Sequence, residues 1–288
     1  MRTRSLVILI VSVSLASCTK TDPEEYYYPT FKIGDNIEFL YNDFELYDSS
    51  TKILYFKAQH PEFVDYKDYS FTFYADTTEI YQGCFWSAYY SYFPQTPFVT
   101  SDPLFYYQNY ALGFEYLNQN KPDPRNDERL ISAFKNSGLL HSGLSVTIKT
   151  LSINNTQISL SFVVTNHDKS DLLILDFDKM GTNLFHYYTN GIIFLNKDHP
   201  NFIYCNIDPQ GPTPLNSWKS EWLTLLKSGD SKQFSINYTI DSPLTAGNYV
   251  AYFHFPGLTF QITMDDLFQD NGRIWLGEVI GTKRLTIQ

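Results

Sequence analysis

Cysteine is scarce in this chain, with three in 288 residues, at positions 18, 84 and 205. That excludes a disulfide-dense scaffold and a thiolate cluster for structural zinc. Basic residues are in deficit too. Lys and Arg number 21 against 31 Asp and Glu, a formal net charge of −10, which excludes the basic footprint that nucleic acid demands. Long apolar runs are missing, because no segment reaches the roughly eighteen apolar residues of a spanning helix. No glycine-rich phosphate loop occurs. Leu140-His141-Ser142-Gly143-Leu144 has leucines where a G-x-S-x-G elbow needs glycines, and it reads as a linker. Ser49-Ser50-Thr51-Lys52 matches S-x-x-K by letters, but it falls in a turn and its partner motifs are absent. His60, His141, His167, His186, His199 and His254 include no pair at metal-ligand spacing. Neither a cofactor nor a metal is expected, and no catalytic residue is assigned.

The amino terminus carries the sharpest positive signal. Arg2 and Arg4 precede an apolar stretch that is too short to span a bilayer, and residues 1–17 read as a cleaved secretory leader. The leader ends in Leu15-Ala16-Ser17 and is followed by Cys18, a pattern that resembles the lipobox of bacterial lipoproteins. The resemblance implies a diacylglycerol on the Cys18 thiol, cleavage before Cys18 and a further acyl chain on the freed amine. Two or three chains make a stable anchor where one is marginal. Residues 18–29 then form a polar, acidic tether, and Thr19 to Glu25 resembles the surface-export signals of Bacteroidetes lipoproteins. The expected address is the outer membrane, lipid-anchored, on its periplasmic or cell-surface face. The acidic body is repelled by anionic headgroups, so the lipid must supply the attachment.

Aromatic residues are abundant, with 23 Phe, 23 Tyr and 4 Trp, and more than half of them lie between Tyr26 and Tyr116. The change in density predicts two modules. Residues 30–142 form an aromatic-rich β (α+β) module with one helix near 124–137, and residues 143–288 form a β-sandwich. In the first module Phe44 to Phe56 reads as a hairpin around the Asp48-Ser49-Ser50-Thr51 turn, and Tyr69 to Phe73 alternates as a strand. Pro94, Pro97 and Pro103 confine Tyr89 to Tyr107 to loop or sheet edge. The helix is capped by Asp123-Pro124 or Asn126, buries Leu130, Ile131 and Phe134, and stops at Gly138.

In the second module Ile158, Leu160, Phe162 and Val164 share one strand face, as do Phe234, Ile236, Tyr238 and Ile240. Tyr249 to Phe255 is apolar on both faces and is expected to be a central strand. Asp176 and Asp178 are expected on one face of a strand. Leu226-Lys227-Ser228-Gly229 and Gly247-Asn248-Tyr249 resemble the turns that frame two late strands of bacterial immunoglobulin-like domains. Segments 43–51 and 123–128 resemble Bacteroidetes lipoproteins, a resemblance that brings no activity with it. Cys84 and Cys205 fall in different modules and are expected as separate buried thiols.

Consecutive aromatics in a strand project to both faces, so some must lie outside the core. The candidate ligand contacts are Trp86, Tyr89, Tyr90, Tyr92, Phe105, Tyr106 and Tyr107. Exposed Tyr and Trp give large contact area at low entropic cost, and their flat faces also stack on sugar rings. The expected role is therefore a non-enzymatic envelope protein that binds a partner or joins an assembly. The alternatives are a glycan-binding surface lipoprotein and a protease inhibitor built on the immunoglobulin-like module. Partners are the membrane, through the lipid, and a protein or glycan, with nucleic acid excluded.

Overall fold

A computed structural model describes residues 27–58, 69–102, 110–118, 120–215, 217–258 and 262–288. The expected leader, Cys18 and most of the expected tether lie outside the described residues. The fold is mainly β and is built from several sheets.

The N-terminal half contains β1 (Pro29–Ile33), β2 (Ile37–Leu40), β3 (Phe44–Asp48), β4 (Ile53–Phe56) and β5 (Ser70–Ala75). It continues with β6 (Thr78–Ser87), β7 (Phe98–Asp102), β8 (Ala111–Gly113), α1 (Glu128–Asn136) and the short β9 (Leu140–His141). A five-stranded sheet runs β2-β1-β5-β6-β7, and a four-stranded sheet runs β8-β4-β3-β9. The Pro-broken stretch supplies β7 as an edge strand parallel to β6, as the prolines require.

Local chemistry explains α1 closely. The Asp123 side chain caps the 3-10 turn Pro124–Asn126, and the residue that caps α1 is Asp127, whose carboxylate accepts from Arg129 N at 2.9 Å. The cap thus falls one residue past Asn126, because proline at 124 favours a tight turn of its own before the helix begins. Leu130 and Phe134 are buried as expected, with Ala133 between them, while Ile131 is only half-buried at the edge of the stripe. At the other end Gly138 adopts φ +75°, and Leu139 N donates to Phe134 O while Gly138 N donates to Lys135 O. That is a Schellman closure, in which glycine avoids the left-handed penalty.

The C-terminal half contains β10 (Leu144–Asn154), β11 (Gln157–Asn166), β12 (Leu172–Leu175), α2 (Phe177–Met180) and α3 (Thr182–Phe185). It goes on through β13 (Ile192–Asn196), β14 (Asn201–Tyr204), β15 (Leu223–Leu226), β16 (Ser231–Thr239) and β17 (Gly247–Pro256). It closes with α4 (Met264–Leu267), β18 (Phe268–Gln269), β19 (Gly272–Ile274) and β20 (Glu278–Ile287). Three sheets result, with orders β10-β11-β16, β14-β13-β17-β20 and β15-β12-β19-β18. The first two face each other across Phe162, whose ring lies 4.3 Å from Phe253 and 5.4 Å from Phe234. β17 is central, between β13 and β20. The Tyr249 hydroxyl donates to Thr245 O at 3.0 Å, the kind of corner bond that immunoglobulin-like sandwiches use to enter a strand.

Asp176 and Asp178 do not share a strand face. β12 ends at Leu175, and Asp176 instead caps α2 by accepting from Asp178 N at 3.0 Å. A short acidic side chain ahead of a run without β-branched residues favours the cap over strand continuation.

The sheet β8-β4-β3-β9 belongs to two cores at once. In β4, Leu54 and Phe56 enter the aromatic core with Phe31, Phe44, Phe71 and Phe73, while Ile53 and Tyr55 enter the core of the C-terminal half. All four residues of the strand are buried, which a period of two allows only in a middle layer. The expected linker at 141–143 is part of this joint, since His141 lies in β9 and pairs in parallel with Asp48 of β3.

A buried ionic network pins the joint. Arg273 of β19, 3% exposed, donates through Nη2 to Asp48 Oδ2 at 2.9 Å and to Asp168 Oδ2 at 3.4 Å. Its guanidinium also lies over the Tyr55 ring, 5.4 Å from the centroid. Asp168 Oδ1 meets His141 Nδ1 at 2.7 Å, and Asp48 Oδ1 accepts from Ser50 Oγ at 2.6 Å. Gly143 sits against this network at φ +63°, where a β-carbon would fall on the Ser50 hydroxyl and the Asp48 carboxylate.

Two buried carboxylates shape the acid limb of stability. Burial by itself would raise Asp168, but the His141 hydrogen bond and charge, the Ser170 N–H and Arg273 outweigh it and hold the carboxyl low. Burial likewise opposes ionisation of Asp176, and hydrogen bonds from Lys232 and Thr224, the Lys232 charge and the Asp178 N–H win. Both folded pKa values lie below the unfolded value of about 4, so their stabilisation is fully present above about pH 5. It is lost as the pH falls through the folded values. Thermal melting is expected to owe no change to these two groups from pH 7 to about pH 5 and to fall steeply below that. Asp176→Asn should lower the melting temperature at pH 7 and make the acid limb shallower. An acid limb of unchanged slope would contradict the assignment.

Candidate functional site

The aromatic segment after Phe85 forms a raised face at the end of β6. Because side chains alternate along the strand, Phe85 enters the aromatic core and Trp86 emerges on the opposite side. Trp86 is nevertheless buried. Phe98 of β7 meets it edge-on at 5.4 Å, and Phe93 leans over it at 5.0 Å. Trp86 Nε1 donates to Tyr92 O at 2.9 Å, and Tyr90 N donates to Ser87 O at 3.0 Å. These two bonds fold the 88–93 turn back onto the sheet.

On this base Tyr89 is 72% exposed, Tyr92 63% and Phe93 56%. Tyr90 is half-buried and stacks on Tyr92 with centroids 5.7 Å apart and planes 10° apart. The candidate residues therefore divide. Tyr89, Tyr90 and Tyr92 come together at the surface with Phe93, which ends the same run of aromatics in the sequence. Trp86 is the footing beneath them and not part of the contact face. Phe105, Tyr106 and Tyr107 lie outside the described residues, as do Leu15, Ala16, Ser17 and Cys18. Flat area and phenol hydroxyls are what this face offers, which suits contact rather than proton transfer.

A second feature had no sequence signal. A cleft of about 510 Å³ opens between the middle sheet and the C-terminal half, within the size range of small-molecule sites. One of its walls is tied together through backbone. Phe98 N donates to Glu115 O at 2.9 Å and Glu115 N donates to Phe98 O at 2.7 Å, which joins the edge of the five-stranded sheet to the chain just past β8.

Around the cleft the cations are already engaged. Arg125 is held by both oxygens of Asp123, at 2.9 Å from Nε and 2.7 Å from Nη2, and also donates to Phe114 O. Lys52 Nζ donates to Asn126 Oδ1 at 2.7 Å. Burial, then the nearby Arg125 charge, lowers the Lys52 pKa. Glu115 accepts from Thr100 Oγ1 at 2.8 Å. Burial raises its pKa against the Thr100 bond and the Arg125 charge, and Glu278 adds to the rise. Glu278 itself meets His254 Nδ1 at 2.8 Å. Two hydroxyl oxygens, Thr51 Oγ1 and Tyr188 Oη, are buried and have no hydrogen-bond partner among the described residues.

Cys84 and Cys205 form no disulfide with each other, as expected. Only Cys205 is fully buried, whereas Cys84 is half-buried because it lies on the outer side of β6. Burial pushes the Cys205 thiol up to about 12, which makes it inert at neutral pH. Among the described residues no three His, Cys, Asp or Glu side chains converge on a metal position. Among the same residues no helix is long and apolar enough to cross a membrane.

The fold and surface together define a mainly-β, multi-sheet protein with an exposed aromatic face. No family model matches the chain, and no curated protein matches it. Among solved structures it is similar to the β-glucosidase from Kluyveromyces marxianus in complex with glucose, at 13% identity and a TM-score of 0.23. The similarity covers 50% of this chain and 14% of that one, and at this level it carries no argument about fold or activity.

Proposed function

We propose that this chain is a non-enzymatic, lipid-anchored protein of the bacterial cell envelope, held in the outer membrane by acyl chains on Cys18, and that it binds a protein partner through Tyr89, Tyr90, Tyr92 and Phe93. The observation that carries the reading is the exposed aromatic face on its Trp86 footing. Clustered large rings left in water are unfavourable unless a partner covers them, and aromatic residues dominate the energetics of protein contacts.

Photo-crosslinking on intact cells tests it. A photoreactive aromatic residue replacing Tyr92 is expected to trap a discrete envelope protein, while the same residue replacing the exposed Thr150 is not. No adduct, or equal adducts at both positions, would overturn the contact face. Intact-mass measurement of the native product tests the anchor separately, with a start at Cys18 and added acyl mass as the expected result.

Glycan binding at the same face is the second reading, favoured by the nearly parallel rings of Tyr90 and Tyr92. Affinity electrophoresis against a polysaccharide panel is expected to show retardation that Tyr92→Ala abolishes. Free migration on every glycan would remove this reading.

A further inference from the structure

The two facing sheets of the C-terminal half differ on their outer sides. On β11 and β16 the outward rows are polar, with Ser159 opposite Asn237 and Ser161 opposite Ser235. On the sheet β14-β13-β17-β20 they are apolar. One row runs Phe202, Leu195, Val250 across β14, β13 and β17, and the next runs Tyr204, Ile193, Tyr252. None of these six side chains belongs to either core. Phe202 is 53% exposed and Tyr204 59%, and Ile280 of β20 is exposed on the same side. Sandwich strands turn polar residues outward, so a contiguous apolar outer face marks a surface that something covers.

Charge says what kind of surface covers it. Arg284 of β20 stands beside Val250, and Lys197 lies two residues past Leu195. Both are exposed, neither is ion-paired among the described residues, and no carboxylate lines the groove between them. Two acids at the rim are engaged, Asp198 by Asn248 N at 2.8 Å and Glu278 by His254 Nδ1 at 2.8 Å. The acidity of the chain is also segregated. Residues 18–142 hold 18 acidic against 9 basic side chains, and residues 143–288 hold 13 against 10. Near an anionic surface the first half is pushed away, which turns the second half towards it.

We propose that the outer face of β14-β13-β17-β20 rests on an anionic phospholipid bilayer, with Phe202 and Tyr204 at the headgroup–acyl boundary and Lys197 and Arg284 on lipid phosphates. Tyrosine suits that boundary because its ring is apolar and its hydroxyl stays wet. The Lys and Arg stems lie along the apolar rows while their charged ends reach the headgroups. A second copy fits this face less well. Two rows across four strands cover on the order of 300 Å², short of the roughly 800 Å² per partner in a stable protein pair. Stacking the face on itself also gives its two cations no free carboxylate. The inference rests on this face alone and holds with or without acylation of Cys18.

The test is fluorescence of the full chain on vesicles of phosphatidylcholine and phosphatidylglycerol with brominated acyl chains. A fluorescent amino acid replaces Phe202, or Ser159 on the polar outer face of the other sheet. An acyl anchor tethers both positions alike, so a difference between them reports the face. Bromine is expected to quench position 202 roughly threefold more than position 159, as burial within the interface requires. The double variant Lys197→Glu, Arg284→Glu should bring position 202 down to the level of position 159. Both charges are exposed, so the fold should survive their reversal. Equal quenching at the two positions, no quenching at either, or quenching that persists in the double variant overturns the proposal. So does a blue shift at position 202 that grows with protein concentration without vesicles, which would assign the face to a second copy.

Discussion

Arg273→Ala is expected to cost about 3–5 kcal/mol of folding stability, because it strands buried carboxylates without their cation. Asp48 and Asp168 are both essentially inaccessible to water, and Arg273 is the guanidinium that both carboxylates face. The size of the loss is set by what remains and not by the strength of the original pair. Removing the carboxylate charges as well should therefore restore much of it. The triple variant Arg273→Met, Asp48→Asn, Asp168→Asn is expected to recover at least half of the loss in urea unfolding at pH 7. A loss below about 1 kcal/mol for Arg273→Ala would mean that water reaches the network and screens it.

Phe73→Ala is expected to be of similar size, about 3–5 kcal/mol, by a different route. Phe73 is fully buried in β5 and meets Phe31 at 4.9 Å, Phe114 at 5.0 Å, Tyr81 at 5.2 Å and Phe134 at 6.3 Å between ring centroids. Its neighbours belong to the five-stranded sheet, to the chain just past β8 and to α1, so no single element can move in to fill the space. Rings are stiff, and a core made mostly of them collapses poorly around a void. Phe73→Leu keeps much of the volume and should cost less than half as much. Denaturant unfolding of both variants checks this, and equal losses would show that edge-to-face geometry matters more than volume.

Much of the local structure was legible because it depends on neighbours in the chain. Alternation placed Ile158, Leu160, Phe162 and Val164 on a buried face, and all four are in the core. The Asp48 to Thr51 turn, the glycine stop of α1 and the central position of β17 followed from turn chemistry, capping and two-sided apolarity. The aromatic face was legible in part. Consecutive rings had to point both ways, but no local rule could tell that Trp86 turns under and Phe93 turns out. That choice depends on Phe98, which approaches from an edge strand.

Composition, aromatic density and the two-residue alternation of the strands were enough to make this a mainly-β chain, since each is a property of residues close together in sequence. Only the folded arrangement made one sheet serve two cores and drew residues 48, 141, 168 and 273 into a shared buried network. It also brought Thr51, Glu115 and Tyr188 to one cleft. Pairings across such separations leave no periodic trace in the chain, because they are fixed by how whole sheets stack and not by any local conformational preference.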